Sequence, residues 1–262
     1  MSEPSGSGHV DLDGPGVSIA EVVAVARHDA SVTLTEGAIE RMSRSRQVVE
    51  RLAEGEPKYG ISTGFGALAN VSIPPERRRD LQTALVRSHA AGMGDPVENE
   101  VVRAMILLRA RTLALGSSGA RPLVAQAMID LLNAQITPMV PEYGSLGASG
   151  DLAPLAHGAL ALLGEGQVFY ADAWRPAAEA LDAAGLAPIS LVEKEGLAVT
   201  NGTDAILGML CLAIDDSERL LQQADMVTAL TVEGLLATDG PFAADLQALR
   251  PQPGQAISAA NL

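Results

Sequence analysis

Apolar side chains recur every three or four residues over most of this chain, the spacing that buries one face of an α-helix. Ser18 and Glu21 form a capping-box pair at the start of the first such run, and Pro122 lies at an early helix position in a later run. Residues 168–170, which lie beside turn-forming residues, predict the only short strand or hairpin. The pattern therefore predicts a mainly α-helical fold. The clearest helical runs cover residues 35–53, 75–91, 97–115, 122–136, 152–163 and 203–235.

Glycine-rich stretches separate these helices and divide the chain. YGISTGFGALA begins at Tyr59 and has three glycines within seven positions, which predicts a loop. A second stretch, GSLGASGDLAPLAH at 144–157, predicts a glycine-rich loop that leads into a helix. Residues 1–16 are acidic and rich in Gly, Ser and Pro, so we expect a flexible tail there. We expect one domain over 17–200, and over 201–262 the first long helix of a bundle with the loop that follows it.

Composition narrows the partners and the compartment. The 262 residues carry 18 Lys and Arg against 32 Asp and Glu, a formal net charge of −14, which argues against nucleic acid and anionic membranes as partners. The single cysteine, Cys211, excludes an internal disulfide and suits a reducing compartment. Polar residues or glycine interrupt each apolar stretch, so we expect no membrane span. Since the N-terminus also lacks the features of a signal peptide, we expect a cytoplasmic protein.

Ala148, Ser149 and Gly150 lie at the centre of the second glycine-rich loop. Glycine has no Cβ and adopts strained backbone conformations easily, which favours attack of the Gly150 nitrogen on the Ala148 carbonyl. Ring closure, followed by loss of water from Ser149, would leave a methylidene, so the chain would make its own electrophile. Spacing alone does not require this cyclisation, because a glycine-rich loop before a helix occurs in many folds.

The stretch GSLGASGDLAPLAH closely resembles the signature of the aromatic amino acid ammonia-lyase and aminomutase family. TGFG at 63–66, KEGLAVTNGT at 194–203 and RPQPGQ at 250–255 are similar to further segments of that family. The resemblance implies that residues 148–150 form the methylidene-imidazolone (MIO) prosthetic group, and it implies neither a metal nor a nucleotide. It also implies an N-terminal MIO-loop domain followed by the start of a long central helical bundle, as in the fumarase and aspartase superfamily.

The same resemblance assigns roles to three side chains outside the tripeptide. It implies that Tyr59 is the base, that Asn201 lies near the prosthetic group and the substrate, and that His89 lies beside the substrate side chain. Simpler alternatives are a packing tyrosine in a loop, an Asn-Gly turn and a buried histidine on an apolar helix face. The Ser88-His89 pair is closest to histidine-specific members, although some tyrosine aminomutases share it.

Two neighbouring residues carry further expectations. His157 lies in the helix after the tripeptide, and we expect it to be buried and bonded to a carbonyl. Asp204 stands where histidine-specific members of the family more often have glutamine, so we expect the pocket wall beside it to differ in detail.

On this resemblance we expect histidine ammonia-lyase chemistry, the conversion of L-histidine to urocanate and ammonia. A tyrosine-type MIO aminomutase or ammonia-lyase is the alternative within the family. A catalytically inactive remnant or assembly partner is the alternative outside enzymes. Family members are about twice as long as this chain and assemble as tetramers with shared active sites. We therefore expect a fragment or one subunit of a split enzyme, completed by other subunits of a homotetramer or by a separate C-terminal half.

Overall fold

The computed structural model describes residues 8–14, 16–146 and 149–262. The chain forms two compact units, Met1–Leu212 and Ala213–Leu262. The described α-helices are α1 Ile19–Arg27, α2 Glu36–Ala53, α3 Arg78–His89, α4 Asn99–Ala114, α5 Pro122–Asn133, α6 Leu152–Leu162, α7 Ala177–Ala183, α8 Glu195–Thr200, α9 Asp204–Gly234, α10 Ala244–Ala248 and α11 Pro253–Asn261. The described strands are β1 His9–Leu12, β2 Ser31–Leu34, β3 Met93–Pro96, β4 Thr137–Pro138, β5 Pro141–Tyr143, β6 Gln167–Tyr170 and β7 Ala173–Pro176.

Local sequence sets where several helices begin. The Ser18 hydroxyl accepts from the Glu21 N–H, and the Glu21 carboxylate accepts from the Ser18 N–H, which is the predicted capping box. Thr35 caps α2, and Pro122 is the first residue of α5. Each of the six predicted helical runs contains a helix whose ends lie within a few residues of the expected ones. The predicted mainly helical fold is confirmed.

Helix α4 forms the centre of the first unit and packs on α1, α2, α5 and α6. Most of its residues are buried, including the two arginines Arg103 and Arg109. Arg103 donates to the carbonyls of Val25 and Leu132, so its guanidinium joins the ends of α1 and α5 to the central helix. The rest of the core is aliphatic, as the 3% content of aromatic residues requires.

Over the described residues, three small sheets accompany the helices. The predicted strand or hairpin at residues 168–170 is confirmed as β6 and β7, and β4 extends it into an antiparallel sheet. The expectation that it is the only one is wrong, since the described residues contain five further strands, β1 to β5. Strands β3 and β5 pair in antiparallel fashion, and β1 and β2 pair in parallel. The flexible tail predicted for residues 1–16 is wrong over β1, where Val10 and Leu12 are buried. The alternation in β1 covers only four residues, too few to stand out among the surrounding glycines. Residues 1–7 and 15 lie outside the described part.

The second unit contains the rest of α9, a 3₁₀ turn at Gly240–Phe242, and helices α10 and α11. The loop predicted after the long helix is therefore wrong, because much of that segment is helical. Helices α10 and α11 pack together and border an apolar cavity of about 300 Å³.

Within the second unit, α9 exposes a row of apolar side chains. Leu220, Leu221, Val227 and Leu230 are 66%, 63%, 62% and 72% exposed. The stretch Glu195–Gly234 also contains an 18-residue window with a mean hydropathy of 1.6, so it is long and apolar enough to cross a membrane. The interrupting polar residues are therefore too few to keep this stretch below the limit of length and composition, whereas the expected absence of a membrane span stays a prediction. A core helix of a water-soluble protein passes the same test.

Replacing Leu12 by alanine tests whether β1 belongs to the core. Leu12 is fully buried, so we expect the substitution to lower the free energy of unfolding by about 2–5 kcal/mol, measured by urea denaturation. Leu249→Ala is the control, because Leu249 is 77% exposed and its loss is expected to change stability by less than about 0.5 kcal/mol. Equal effects of the two substitutions would contradict the assignment of β1 to the core.

Candidate active site

The turn between α8 and α9 is where the segments predicted to carry the chemistry meet. Gly60, next to Tyr59, packs so closely on α8 that a Cβ at Gly60 would lie 3.1 Å from the Leu197 Cδ2 atom. Asp151, directly after the tripeptide, donates its backbone N–H to the Gly202 carbonyl at 3.2 Å. The two glycine-rich loops therefore contact one segment of the chain, and the predicted asparagine lies within it.

Ser149 and Gly150 form a tight turn, whereas Ala148 lies outside the described residues. Gly150 has a φ of +80°, and the N–H of Asp151 donates to the Ser149 carbonyl at 3.1 Å. A Cβ on Gly150 would lie 2.9 Å from the Ile206 Cδ1 atom. The left-handed backbone favours glycine here, and a side chain at this position would also require the end of the Ile206 side chain to move.

Asp151 is fully buried beside this turn, and sequence reasoning did not single it out. Its Oδ2 atom accepts from the Ile206 N–H at 2.9 Å, while Oδ1 has no hydrogen-bond partner among the described residues. The carboxylate borders a cavity of about 80 Å³ lined mostly by apolar side chains. Because α6 begins directly after Asp151 and α9 donates to it, the positive ends of two helix dipoles lie beside the tripeptide. The available signal was an aspartate immediately before an apolar helix.

Asn201 is the C-cap residue of α8, and its side chain is exposed. Its backbone N–H donates to the Leu197 carbonyl at 3.1 Å, and its carbonyl accepts from Arg109 Nη1 at 3.1 Å. The backbone is therefore fixed from both sides while the side-chain amide stays available to a ligand.

A buried ion pair between Arg109 and Asp204 shapes this turn. The two side chains are 5% and 7% exposed. Arg109 Nε donates to Asp204 Oδ2 at 2.9 Å, and Arg109 Nη1 donates to the Ala198 carbonyl at 3.0 Å. The Asp204 carboxylate is bound within the protein, and the expected difference in the pocket wall beside it stays a prediction. Sequence reasoning missed Arg109, although an arginine on a buried helix face is itself a signal.

A second buried carboxylate, Glu195, fixes the other end of α8. It is fully buried and accepts from Arg121 Nε at 2.8 Å and from the Val192 N–H at 2.9 Å. The hydrogen bond that Arg121 donates to this carboxylate raises the pKa of Arg121. The two pairs together hold the whole helix that carries Asn201.

His89 is the last residue of α3 and is half-buried. Its Nδ1 atom lies 2.9 Å from the Leu85 carbonyl and 3.0 Å from the Ser88 hydroxyl. A carbonyl only accepts, so Nδ1 carries the proton and Nε2 presents a lone pair. Within the described residues Nε2 has no hydrogen-bond partner, which leaves it open to a donor on a ligand.

Tyr59 lies in the predicted loop and is 52% exposed. Its ring packs edge-to-face on Phe65, with the ring centroids 6.1 Å apart. Gly60 follows with a φ of +71°, and the N–H groups of Ser62 and Thr63 donate to the Lys58 carbonyl. The loop is therefore tightly turned beneath an exposed phenol.

His157 is bonded differently from the sequence expectation. Its Nε2 atom accepts from the Gly92 N–H at 3.1 Å, so its partner is an amide and not a carbonyl. Burial lowers the pKa of His157, which keeps the imidazole neutral and able to accept. Gly92 also packs on the start of the second glycine-rich loop, because a Cβ on Gly144 would lie 3.4 Å from the Gly92 Cα atom. The segment after His89 thereby joins the site, although the roles of the predicted residues remain predictions.

The sequence matches a known protein family and curated relatives. Residues 17–262 match the family described as aromatic amino acid lyase. The chain is 56% identical over 249 residues to the histidine ammonia-lyase of Streptomyces coelicolor, an alignment that covers 94% of this chain and 49% of that protein. It is 47% identical over 247 residues to the histidine ammonia-lyase of Deinococcus radiodurans, covering 94% and 47%. The chain thus spans about half the length of the curated relatives it matches.

Solved structures give the same picture of the fold. Tyrosine aminomutase from Streptomyces globisporus superposes with a TM-score of 0.89 at 37% identity, covering 96% of this chain and 48% of that one. Histidine ammonia-lyase from Trypanosoma cruzi superposes with a TM-score of 0.88 at 33% identity, covering 97% and 50%. The expected lyase and aminomutase fold is confirmed.

Gly202→Ala tests the packing of Arg109 on the turn. A Cβ at Gly202 would overlap the Arg109 guanidinium, so we expect the free energy of unfolding to fall by about 1–3 kcal/mol or more, measured by urea denaturation. Gly234→Ala is the matched control, because no atom lies within 4 Å of its added Cβ and Gly234 is helical. If both variants were equally stable, the contact between Arg109 and the turn would not be as described.

Proposed function

The chain belongs to the aromatic amino acid lyase family, and we propose that it supplies the MIO-forming part of a histidine ammonia-lyase. The proposed reaction eliminates ammonia from L-histidine and yields urocanate. The observation that carries the proposal is the tight turn at Ser149 and Gly150, held against the turn of Asn201 and beside two helix N-termini. The identity of 56% to a histidine ammonia-lyase supports histidine as the substrate.

The described residues fit a prosthetic group formed from Ala148, Ser149 and Gly150. Gly150 has the positive φ and the close packing on Ile206 that a tightly bent backbone demands. Asp151 and the N-terminus of α9 would hold the ring from one side. When formed, the group supplies an electrophilic carbon that converts the amino group of the substrate into a better leaving group.

We assign the proton-transfer step to Tyr59. As base it removes a β-proton of the substrate while the C–N bond breaks, so that a C=C bond forms and ammonia leaves with the bonding electrons. Free phenols have a pKa of about 10 and need a positive field to act as bases near neutrality. The exposed amide of Asn201 would hydrogen-bond the substrate or the ring.

We assign selection of the substrate side chain to His89. Its Nε2 lone pair is suited to accept the N–H of the histidine imidazole. The same lone pair would accept a phenol O–H, and a tyrosine aminomutase superposes at a TM-score of 0.89. A tyrosine-type MIO aminomutase or ammonia-lyase is therefore the second candidate, and the products distinguish urocanate from a β-amino acid.

We propose that the apolar row on α9 packs on further polypeptide of the same family. The row exposes Leu220, Leu221, Val227 and Leu230, and exposed patches of this kind mark interaction surfaces. As the occupant we assign the part of the relatives that this chain does not match, which is about half of each relative's length. It would be supplied within a homotetramer-type assembly or by a separate C-terminal half.

We propose a cytoplasmic enzyme with no nucleic acid or membrane partner. The opposing outcome is a catalytically inactive remnant or an assembly partner.

The intact mass of the purified chain tests formation of the prosthetic group. We expect the wild-type chain to be lighter by two water molecules, with the deficit in the peptide that contains Ser149. Ser149→Ala is expected not to reach the two-water deficit, because ring closure at the Ala148 carbonyl releases only one water and the second must come from the Ser149 hydroxyl. Ser117→Ala, an exposed serine in another loop, is the control and should keep the full deficit. An unmodified wild-type mass would show that this chain alone does not form the ring.

Tyr59→Phe tests the base in an assembled enzyme. We would co-express this chain with the part of the Streptomyces coelicolor relative that it does not match and measure urocanate formation. Loss of the phenol is expected to lower kcat about 10²- to 10⁴-fold without changing the mass deficit. Tyr170→Phe, which keeps the ring of a tyrosine in the β6–β7 hairpin to which no role is assigned, should leave kcat unchanged. An active Tyr59→Phe variant would overturn the assignment, and failure of the two halves to associate would favour the inactive remnant.

A further inference from the structure

We propose that His157 is a positioning residue that clamps the backbone after His89 to the loop of the prosthetic group, and so sets where the His89 imidazole stands. The inference rests on the proposed function, because His89 is assigned there to the substrate side chain. It concerns a contact that neither the sequence motifs nor the proposed chemistry required.

A short connection through β3 and β5 links His89 to the tripeptide loop, so the position of His89 depends on how this connection is held. Helix α3 ends at His89, and only three residues separate it from β3. Strand β3 pairs with β5, and β5 ends one residue before Gly144, at the start of the second glycine-rich loop. A shift of the backbone between His89 and β3 would therefore move the His89 side chain relative to the tripeptide.

Gly92 is the point at which this segment is held. Its N–H donates to His157 Nε2 at 3.1 Å, and a Cβ on Gly92 would lie 3.1 Å from that nitrogen and 3.3 Å from the Pro141 Cβ atom. A Cβ on Gly144 would in turn lie 3.4 Å from the Gly92 Cα atom. The segment after His89, the start of the tripeptide loop and helix α6 after the tripeptide thus meet within van der Waals distance.

Packing alone does not account for a histidine at this position. A half-buried N–H needs an acceptor, and His157 supplies one only as the neutral tautomer with its proton on Nδ1. An apolar side chain of similar size would fill the space but leave the Gly92 N–H unpaired. Glutamine places an acceptor oxygen at about the same reach as Nε2, whereas asparagine is shorter. The clamp hypothesis therefore predicts a specific order among substitutions.

The first test measures amide exchange at Gly92 in the full-length chain. His157→Leu is expected to speed exchange of the Gly92 N–H about tenfold, because the amide loses its acceptor. His157→Gln should stay within about twofold of the wild type, and His28→Leu, an exposed histidine elsewhere, should not change it. If His157→Leu does not fold, the comparison of His157→Gln with His157→Asn replaces it, with faster exchange expected only in the asparagine variant. The clamp would be overturned if the Gly92 N–H exchanged at the same rate in His157→Gln as in His157→Leu, or as in His157→Asn where that variant replaces His157→Leu.

The second test separates positioning from simple stability in the co-expressed, assembled enzyme. His157→Leu is expected to raise KM for histidine about tenfold, with a smaller change in kcat and the mass deficit at Ser149 retained, because His89 is misplaced while the ring still forms. His157→Gln should restore KM. An unchanged KM in His157→Leu, or loss of the mass deficit in that variant, would overturn the positioning role. If wild-type enzyme does not turn over histidine, the proposed function fails, while the exchange experiment still decides whether the clamp exists.

Discussion

The candidate site depends on one constraint: the buried guanidinium of Arg109 needs an acceptor for its hydrogen bonds. Moving the charge of Arg109 out of water costs several kcal/mol, which only a complete set of acceptors offsets. Asp204 and the carbonyls of Ala198 and Asn201 provide that set, and all three lie in the short segment 198–204 that runs from α8 through the turn to the start of α9. Because other shapes of the turn would leave the charge unpaired, the arginine fixes the backbone of Asn201 without touching its side chain.

The two glycine-rich loops reach this turn through main-chain contacts and close packing. Gly60 lies against α8, and Gly150 lies against α9, at positions where any side chain would collide with a neighbour or sit close against it. The N–H of Asp151 adds a hydrogen bond to Gly202. Glycine at these positions allows the loops to approach the helices closely, in addition to allowing an unusual backbone conformation. An added Cβ at Gly60 or Gly150 would crowd the residue that positions the loop.

Helix positions could be predicted from the sequence because their signals are local: apolar spacing, a capping box at Ser18 and an early proline at Pro122. The site residues needed the family resemblance in addition. What escaped prediction was the pairing of buried polar groups, since His157 meets Gly92 over 65 positions and Arg109 meets Asp204 over 95. No local pattern specifies such partners. Strand β1 was missed for a related reason, because a parallel pair forms only after the chain has returned through a helix.

The separation between held backbone and open side chain has an evolutionary consequence. At Asn201 the main chain carries the structural contacts, while the side chain is exposed and takes no part in them. A lineage can therefore change an exposed side chain on this turn at little cost in folding, whereas changes at Gly202 or Arg109 are eliminated through instability. Such a framework can diverge in substrate and still keep its shape, as the similar superpositions on a tyrosine aminomutase and a histidine ammonia-lyase illustrate.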